Sequence, residues 1–167
     1  ALDGFLLQKT SFPIEIIVHD DASTDGTADI IREYEHAHPD LFRCVYRESN
    51  IYQSDPKILE HYVFPLVRGK YVAICEGDDY WTSPLKLQKQ ISYMEAHPEC
   101  TLCVSAADLV DPEENRVGAL APYAEDRDIS TEDMIRGGGG FVATSSIVAP
   151  THLAKNRAAF CDMTDVD

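Results

Sequence analysis

The fold is decided by residues 14–38, which read IEIIVHDDASTDGTADIIREYEHAH. The β-branched run at residues 14–18 is typical of a buried strand. Residues 27–38 follow a dense turn, and their apolar side chains recur at helical spacing. Either Thr24 or Asp25 can cap this helix. The stretch therefore predicts a strand, a tight turn and a helix in immediate succession.

The same alternation continues along the chain. Further strands are predicted at residues 42–46, 71–75, 101–109 and 141–148. Further helices are predicted at residues 56–67, at 83–97, from Ser130 to the glycines at 137–140, and from 151 onward, and residues 111–128 are predicted to be mostly loop. Strands that alternate with helices imply an α/β domain with a mostly parallel sheet and helices on both faces. In such sheets ligands bind beyond the carboxyl ends of the strands.

Length and charge exclude several classes of protein. The chain has 167 residues, which fits one domain, and 44% of them are apolar, which excludes a disordered linker. Its 14 basic and 29 acidic residues give a net charge of −15, which argues against nucleic acid and anionic membrane as partners. No stretch is long and apolar enough to span a bilayer. The odd number of cysteines favours reduced thiols in a cytosolic protein, and the lone CxxC of Cys100 and Cys103 is a weak metal signal.

Acidic residues follow two of the predicted strands. Asp20 and Asp21 come after the first strand, and Glu76, Asp78 and Asp79 come after the third. Adjacent parallel strands would place both clusters in one cleft, where each close pair of like charges costs roughly 1–4 kcal/mol. A divalent cation is the simplest compensation, and carboxylate oxygens suit Mg²⁺ or Mn²⁺, which fill their shells with substrate phosphates. The pattern predicts a metal and a nucleotide di- or triphosphate, although turn formation is an alternative role for the first pair.

Two segments resemble a known family. Residues 19–34, HDDASTDGTADIIREY, resemble the DDxSTDGT segment of family 2 glycosyltransferases. Residues 69–95, GKYVAICEGDDYWTSPLKLQKQISYME, resemble that family's segment with the pattern D-x-DD-x-W-x-P-x-(K/R)-L. The resemblance implies a single GT-A domain over residues 1–167 and inverting transfer of a sugar from a nucleotide-diphosphate sugar to an acceptor hydroxyl.

The resemblance also implies roles for individual residues. Asp79 would be the metal ligand, and Asp78 would reach the ribose or share the metal. Asp20 and Asp21 would bind the nucleotide, with Asp21 at the uracil edge of a UDP-sugar. Lys57 would lie near the diphosphate.

The ends of the chain depart from the family pattern. The family has a first strand that we expect to precede residue 1, and a general base for which Asp167 is the candidate. Glu76 stands where many members have aspartate, which leaves its role open. We therefore expect a fragment of a longer cytoplasmic enzyme that acts on a glycan or lipid-linked acceptor in polysaccharide or surface-glycan synthesis. Peripheral membrane association of the whole protein is compatible with this expectation.

Two other functions fit the same residues. A metal-dependent nucleotidyltransferase would use a similar acidic cleft and release pyrophosphate from a nucleoside triphosphate. A non-catalytic nucleotide-sugar-binding module would keep both acidic clusters and lack the base. The family resemblance also implies that Trp81 packs beneath the second cluster or lines the acceptor cleft. His19 ends an apolar strand, and we expect it to be a packed, hydrogen-bonded histidine.

Overall fold

The computed structural model describes residues 1–55 and 57–156, which form two compact units. The β1–β2 unit comprises residue 2, residues 10–72 and the described residues from 150 onward; the β4–β5 unit comprises residue 1 and residues 3–9 and 73–149. The elements in chain order are α1 (Leu2–Leu6), β1 (Ile16–Asp20), α2 (Thr27–Ala37), β2 (Phe42–Tyr46), a π-helical turn (Leu59–Val63), a 3₁₀ turn (Phe64–Leu66), β3 (Tyr71–Ala73), α3 (Lys86–Ala96), β4 (Ala107–Val110), β5 (Arg116–Leu120), α4 (Thr131–Gly137), a second 3₁₀ turn (Thr144–Ser146), β6 (Val148–Pro150) and α5 (Thr151–Lys155). No helix of the described segments is long and apolar enough to cross a membrane.

The β1–β2 unit is built on a parallel strand pair with a helical crossover. β1 and β2 pair in parallel from Ile16 opposite Phe42 to Asp20 opposite Tyr46, and α2 connects them. The buried side chain of Ile31 on α2 belongs to the same small core as Ile16 and Phe42. A parallel pair with a helical connection is the building block of α/β sheets. The strand, turn and helix predicted from residues 14–38 are therefore confirmed.

The β4–β5 unit has its core around α3. This helix buries Leu87 and Met94, together with two polar side chains, Lys86 and Gln90. β4 and β5 form an antiparallel hairpin. Val148 of β6, which is fully buried, exchanges backbone hydrogen bonds of 2.8 Å with Cys103. β6 is also the partner of β3.

Helix starts show where local chemistry determines structure. α4 begins after Ser130, as predicted, and the Ser130 hydroxyl accepts a 3.1 Å hydrogen bond from the Asp133 amide. The predicted cap of α2 is wrong by one or two residues, because Gly26 occupies the cap position with a φ of 90°. Asp25 instead accepts hydrogen bonds from the amide and hydroxyl of Thr27, at 3.1 and 2.6 Å.

The segment 111–128, predicted to be mostly loop, is mostly irregular but contains β5. The Asp111 carboxylate accepts hydrogen bonds from the amides of Glu113 and Asn115 at 3.0 and 2.8 Å and closes a turn. Glu114 adopts a left-handed conformation with a φ of 64° within this turn. The carboxylate thus supplies the turn that a hairpin needs, although the sequence has none of the usual glycine signals there.

Three other predicted elements are shorter or different in the structure. The strand predicted at 101–109 is reduced to the single bridge at Cys103 and the short strand β4. The strand predicted at 141–148 contains a 3₁₀ turn at Thr144–Ser146 before β6 begins. The helix predicted at 56–67 forms the π-helical turn and a 3₁₀ turn that includes Pro65, whose missing N–H cannot continue an α-helix.

Replacing Met94 by alanine tests the core of the β4–β5 unit. The side chain is 2% exposed, so its truncation should leave a cavity and lower the free energy of unfolding by about 2–5 kcal/mol. The matched control is Ile135→Ala, because Ile135 lies on a helix of the same unit and is 76% exposed, and its effect should stay within about 0.5 kcal/mol. Urea unfolding measures both. Equal losses in the two variants would contradict the burial of Met94.

Candidate functional site

The acidic loop, residues 76–79, lies between β3 and α3. The Asp79 amide donates to the Glu76 carbonyl at 3.2 Å and closes a turn. The side chains of Glu76 and Asp78 are exposed, and Asp79 is partly buried. Across residues 1–55 and 57–156, no hydrogen bond or ion pair is made by the carboxylates of Asp78 and Asp79. The loop therefore presents two adjacent carboxylates with their oxygens free to bind a ligand.

Both sides of the acidic loop are bound to one segment, residues 145–147. Before the loop, the Ile74 amide donates to the Ile147 carbonyl at 3.2 Å. After the loop, the Trp81 indole N–H donates to the Ser145 carbonyl at 2.7 Å. The loop backbone is thus fixed at its entry and its exit. Such fixation keeps the carboxylates in place before any ligand arrives.

Trp81 packs within the β4–β5 unit, and its predicted place, beneath the acidic loop or along an acceptor cleft, stays a prediction. The Phe5 ring meets the indole edge-on at 4.8 Å between centroids. Gly4 allows α1 to approach the Trp81 backbone, since a Cβ at position 4 would lie 2.7 Å from the Trp81 carbonyl oxygen. An open cavity of about 430 Å³ is lined by Gly4 and Trp81 together with Tyr80 and Asp3.

A buried lysine, which the sequence analysis did not single out, also contacts Trp81. The Lys86 ammonium lies 4.3 Å from the indole centroid and donates to the Gln90 side-chain oxygen at 2.9 Å. It also donates to the Ser146 carbonyl at 3.4 Å. The signal in the sequence was the position of Lys86 and Gln90 on the same helical stripe as Leu87.

The chemistry of the acidic loop fits a hard divalent cation. Burial, and then the nearby Asp79 carboxylate, raises the pKa of Cys75 to about 11, so this thiol is protonated at neutral pH. The unpartnered donors of the loop are the carboxylate oxygens of Asp78 and Asp79. Among the described residues no three acidic, histidine or cysteine side chains form a metal cluster. Two carboxylates alone suit Mg²⁺ or Mn²⁺, which complete their shells with water and phosphate oxygens.

Asp20 and Asp21 differ from the acidic loop because their carboxylates already have partners. Asp20 is 5% exposed and accepts from the Ser23 amide at 3.3 Å. The two oxygens of Asp21 accept from the amides of Ile51 and Tyr52 at 2.9–3.1 Å. The Asp21 carboxylate therefore orders the loop after β2. The predicted nucleotide contacts of both residues stay predictions.

Basic and aromatic side chains surround the end of β2. The Arg47 guanidinium lies 4.3 Å from the Tyr62 ring centroid, and the His19 ring stacks on the same tyrosine at 6.0 Å. His19 is packed as predicted, but its buried Nε2 atom has no hydrogen-bond partner among the described residues. Lys57 lies just before the π-helical turn, and its amide donates to the Asp55 carboxylate at 3.0 Å.

Asp55 links this region to a histidine. Its carboxylate bonds the His61 Nδ1 atom at 2.7 Å, and this bond is the largest cause that lowers the pKa of Asp55.

The role predicted for Lys57 stays a prediction. Asp167, the candidate general base, lies outside the described residues. That both acidic clusters line one cleft is likewise still a prediction, since they belong to different units.

The predicted state of the cysteines agrees with the structure in the part that it describes. Cys44, Cys75, Cys100 and Cys103 are free thiols, and each is partly buried. Burial is also the main cause that raises the pKa of Cys44 and of Cys103. Raised values keep both thiols protonated at neutral pH.

Comparisons with known proteins assign the chain to a family. The sequence profile described as Glycosyl transferase family 2 matches residues 1–143. "Uncharacterized protein Rv1520" of Mycobacterium tuberculosis is 41% identical over 150 residues, which are 89% of this chain and 41% of that protein. The Escherichia coli protein WfaP, a UDP-Glc:alpha-D-GlcNAc-diphosphoundecaprenol beta-1,3-glucosyltransferase, is 34% identical over 89 residues, which are 53% of this chain and 33% of WfaP. The chain spans about two fifths of the length of the mycobacterial relatives. Since the profile extends over most of the chain and the parallel β1–α2–β2 arrangement agrees with it, the chain belongs to glycosyltransferase family 2 and has the α/β GT-A fold of that family.

Proposed function

We propose that the protein transfers a sugar from a nucleotide-diphosphate sugar, with UDP as the nucleotide, to an acceptor hydroxyl with inversion of configuration. The acidic loop carries this proposal: it presents two unpaired carboxylates, of Asp78 and Asp79, on a backbone fixed at both ends. The family membership supports the same reaction class. We place the reaction in the cytoplasm, where nucleotide sugars are the donors for polysaccharide and surface-glycan synthesis.

The acidic loop is the part of the chain that would bind Mn²⁺ or Mg²⁺. Asp79 and Asp78 would hold the cation, which supplies positive charge to the departing diphosphate when bound. The fixed ends of the loop mean that few backbone rotations need to be frozen when the ligand binds. The Asp78 side chain is exposed and therefore also accessible to the ribose hydroxyls, the other ligand expected for it.

The end of β1 and the loop after β2 would receive the nucleotide. Asp21 fixes the backbone of Ile51 and Tyr52 and keeps lone pairs on its oxygens, which can accept a further bond from the uracil N–H. Asp20, which is buried, accepts from the Ser23 amide and supports the turn after β1, and Lys57 would supply positive charge for the diphosphate. Asp167 is proposed as the base that takes the proton from the acceptor hydroxyl.

The acceptor we propose is a sugar carried on a lipid diphosphate. WfaP is named as a glucosyltransferase that uses UDP-Glc and a GlcNAc-diphosphoundecaprenol acceptor, and 53% of this chain aligns with that protein. A chain with net charge −15 is not attracted to anionic lipid. Its contact with the membrane surface would therefore come through the lipid-linked acceptor.

Substituting Asp79 tests the metal assignment. With Mn²⁺ and UDP at about a hundredfold excess over Kd, the unfolding temperature of the wild type should rise by about 5–10 °C. Asp79→Asn should lose most of this rise, because it removes a charged ligand and keeps the side-chain shape. Asp126→Asn, an exposed acidic residue of the same unit, is the matched control and should respond as the wild type does. An undiminished rise in Asp79→Asn would contradict the assignment.

Product analysis separates glycosyl transfer from the alternatives. The full-length protein should convert a UDP-sugar and a lipid-diphosphate-linked sugar into UDP and an elongated acceptor, detected by mass spectrometry. Release of pyrophosphate from UTP and a sugar phosphate would instead identify a nucleotidyltransferase. Binding of UDP without turnover of any UDP-sugar would identify a binding module.

Hydrogen exchange tests whether Asp21 orders the loop or serves the nucleotide alone. Asp21→Ala should speed amide exchange at Ile51 and Tyr52 by at least about tenfold, because hydrogen bonds to a charged group contribute about 1.5–3 kcal/mol. Asp25→Ala is the control, since its carboxylate binds the amide of Thr27 and not those of this loop. Unchanged exchange at both amides would contradict the ordering role. Unchanged UDP affinity in Asp21→Ala would contradict the contact with the base.

A further inference from the structure

We propose that Lys86 is a positioning residue for the acidic loop: through Trp81 and the carbonyl of Ser146 it fixes the exit of the loop relative to residues 145–147, and so the geometry of Asp78 and Asp79. This inference rests on the proposed function, because it concerns the same binding of a cation and a nucleotide diphosphate. Lys86 itself touches neither carboxylate among the contacts of the described residues.

The first argument is the convergence of donors on residues 145–147. Trp81 donates to the carbonyl of Ser145, and both Lys86 and the Gln90 side-chain amide donate to the carbonyl of Ser146, at 3.4 and 2.9 Å. The Ile74 amide donates to the carbonyl of Ile147. Residues on both sides of the acidic loop are therefore held on the same three consecutive carbonyls, and Lys86 links two of these attachments through its contact with Trp81.

The second argument is the position of the positive charge. Lys86 is 8% exposed and has no carboxylate partner among the described residues. Its charge faces the indole of Trp81 at 4.3 Å and two neutral oxygens. A buried ammonium without an ion-pair partner weakens a fold, and an apolar side chain of similar length would fill the same space at a lower cost. The charge therefore stabilises a particular arrangement of Trp81 more than it stabilises the folded chain.

The ionisation of Lys86 gives this arrangement a pH limit. Burial is the main cause that lowers the pKa of Lys86 to about 8, and Cys75 and Cys103, the titratable groups that face it, act in the opposite direction. Below this pH the lysine is charged and the contact with the indole is attractive. Above this pH the lysine is neutral and the attraction is lost. The free energy of unfolding nevertheless rises with pH between the folded-state and unfolded-state pKa values of the lysine, because the folded protein no longer holds a buried charge.

Trp81 is the only tryptophan in the sequence, which makes the contact observable. The emission of the wild type should shift with a midpoint near pH 8, the value to which the Lys86 pKa is lowered. Lys86→Met should abolish this transition and Lys89→Met, at an exposed position of the same helix, should keep it. A transition that persists in Lys86→Met would overturn the contact.

Binding of Mg²⁺ and UDP then tests the positioning role. Calorimetry at pH 7 should give an affinity about tenfold lower for Lys86→Met than for the wild type. The unfolding temperature of the free variant should stay within on the order of 3 °C of the wild type, or rise. Lys86→Arg should restore much of the affinity, because it retains the charge over the indole. Lys89→Met should bind as the wild type does.

The outcomes distinguish this inference from the proposed function. Equal affinities in the wild type and Lys86→Met would overturn the inference and leave the proposed function intact. A wild type that binds no Mg²⁺ and UDP would overturn both. If Lys86→Met does not fold, the wild type alone decides: its affinity should fall between pH 7 and pH 9, and a constant affinity over that range would overturn the inference.

Discussion

The structure around the acidic loop depends on the need to satisfy the backbone carbonyls of residues 145–147. Ser145 and Ser146 are buried, so their carbonyl oxygens must find donors within the protein. The donors to these two carbonyls are the side chains of Trp81, Lys86 and Gln90. Because the donors to residues 145–147 include Ile74 and Trp81, which flank the acidic loop, satisfying the carbonyls also determines where that loop begins and ends. A requirement of the protein interior thus positions carboxylates at the surface.

This arrangement leaves two carboxylates of a strongly acidic chain, those of Asp78 and Asp79, available to bind a ligand. Many of the other acidic side chains already have partners: some, such as Asp111, accept backbone hydrogen bonds, and several form exposed pairs such as Asp108 with Arg116, which contribute little to stability. Asp78 and Asp79 have neither a basic partner nor a hydrogen-bond donor among the described residues. No basic partner neutralises either carboxylate within the described chain, and this condition favours the binding of a cation.

The parts of the fold that could be predicted are those that local chemistry determines. The run of β-branched residues before Asp20, the helical spacing of α2 and the Ser130 cap each act within a few residues. The hairpin of β4 and β5 could not be predicted in the same way, because its turn depends on the carboxylate of Asp111, which bonds two later amides. The break in the strand predicted at 141–148 is a turn closed by local hydrogen bonds, such as that from the Ser146 amide to the Ala143 carbonyl, and distant donors bind the carbonyls of the same residues.

The two acidic clusters look alike in the sequence and differ in the structure, and this difference decides how far sequence alone could define the site. Asp21 follows a strand as Asp78 and Asp79 do, yet its oxygens accept from the amides of Ile51 and Tyr52. These amides lie about thirty residues further along the chain, so no local pattern announces the contact. A carboxylate that already orders a loop has fewer free lone pairs for a ligand than a carboxylate without partners. The family resemblance pointed to both clusters, and the hydrogen bonds around them are what distinguishes the proposed nucleotide group from the proposed metal group.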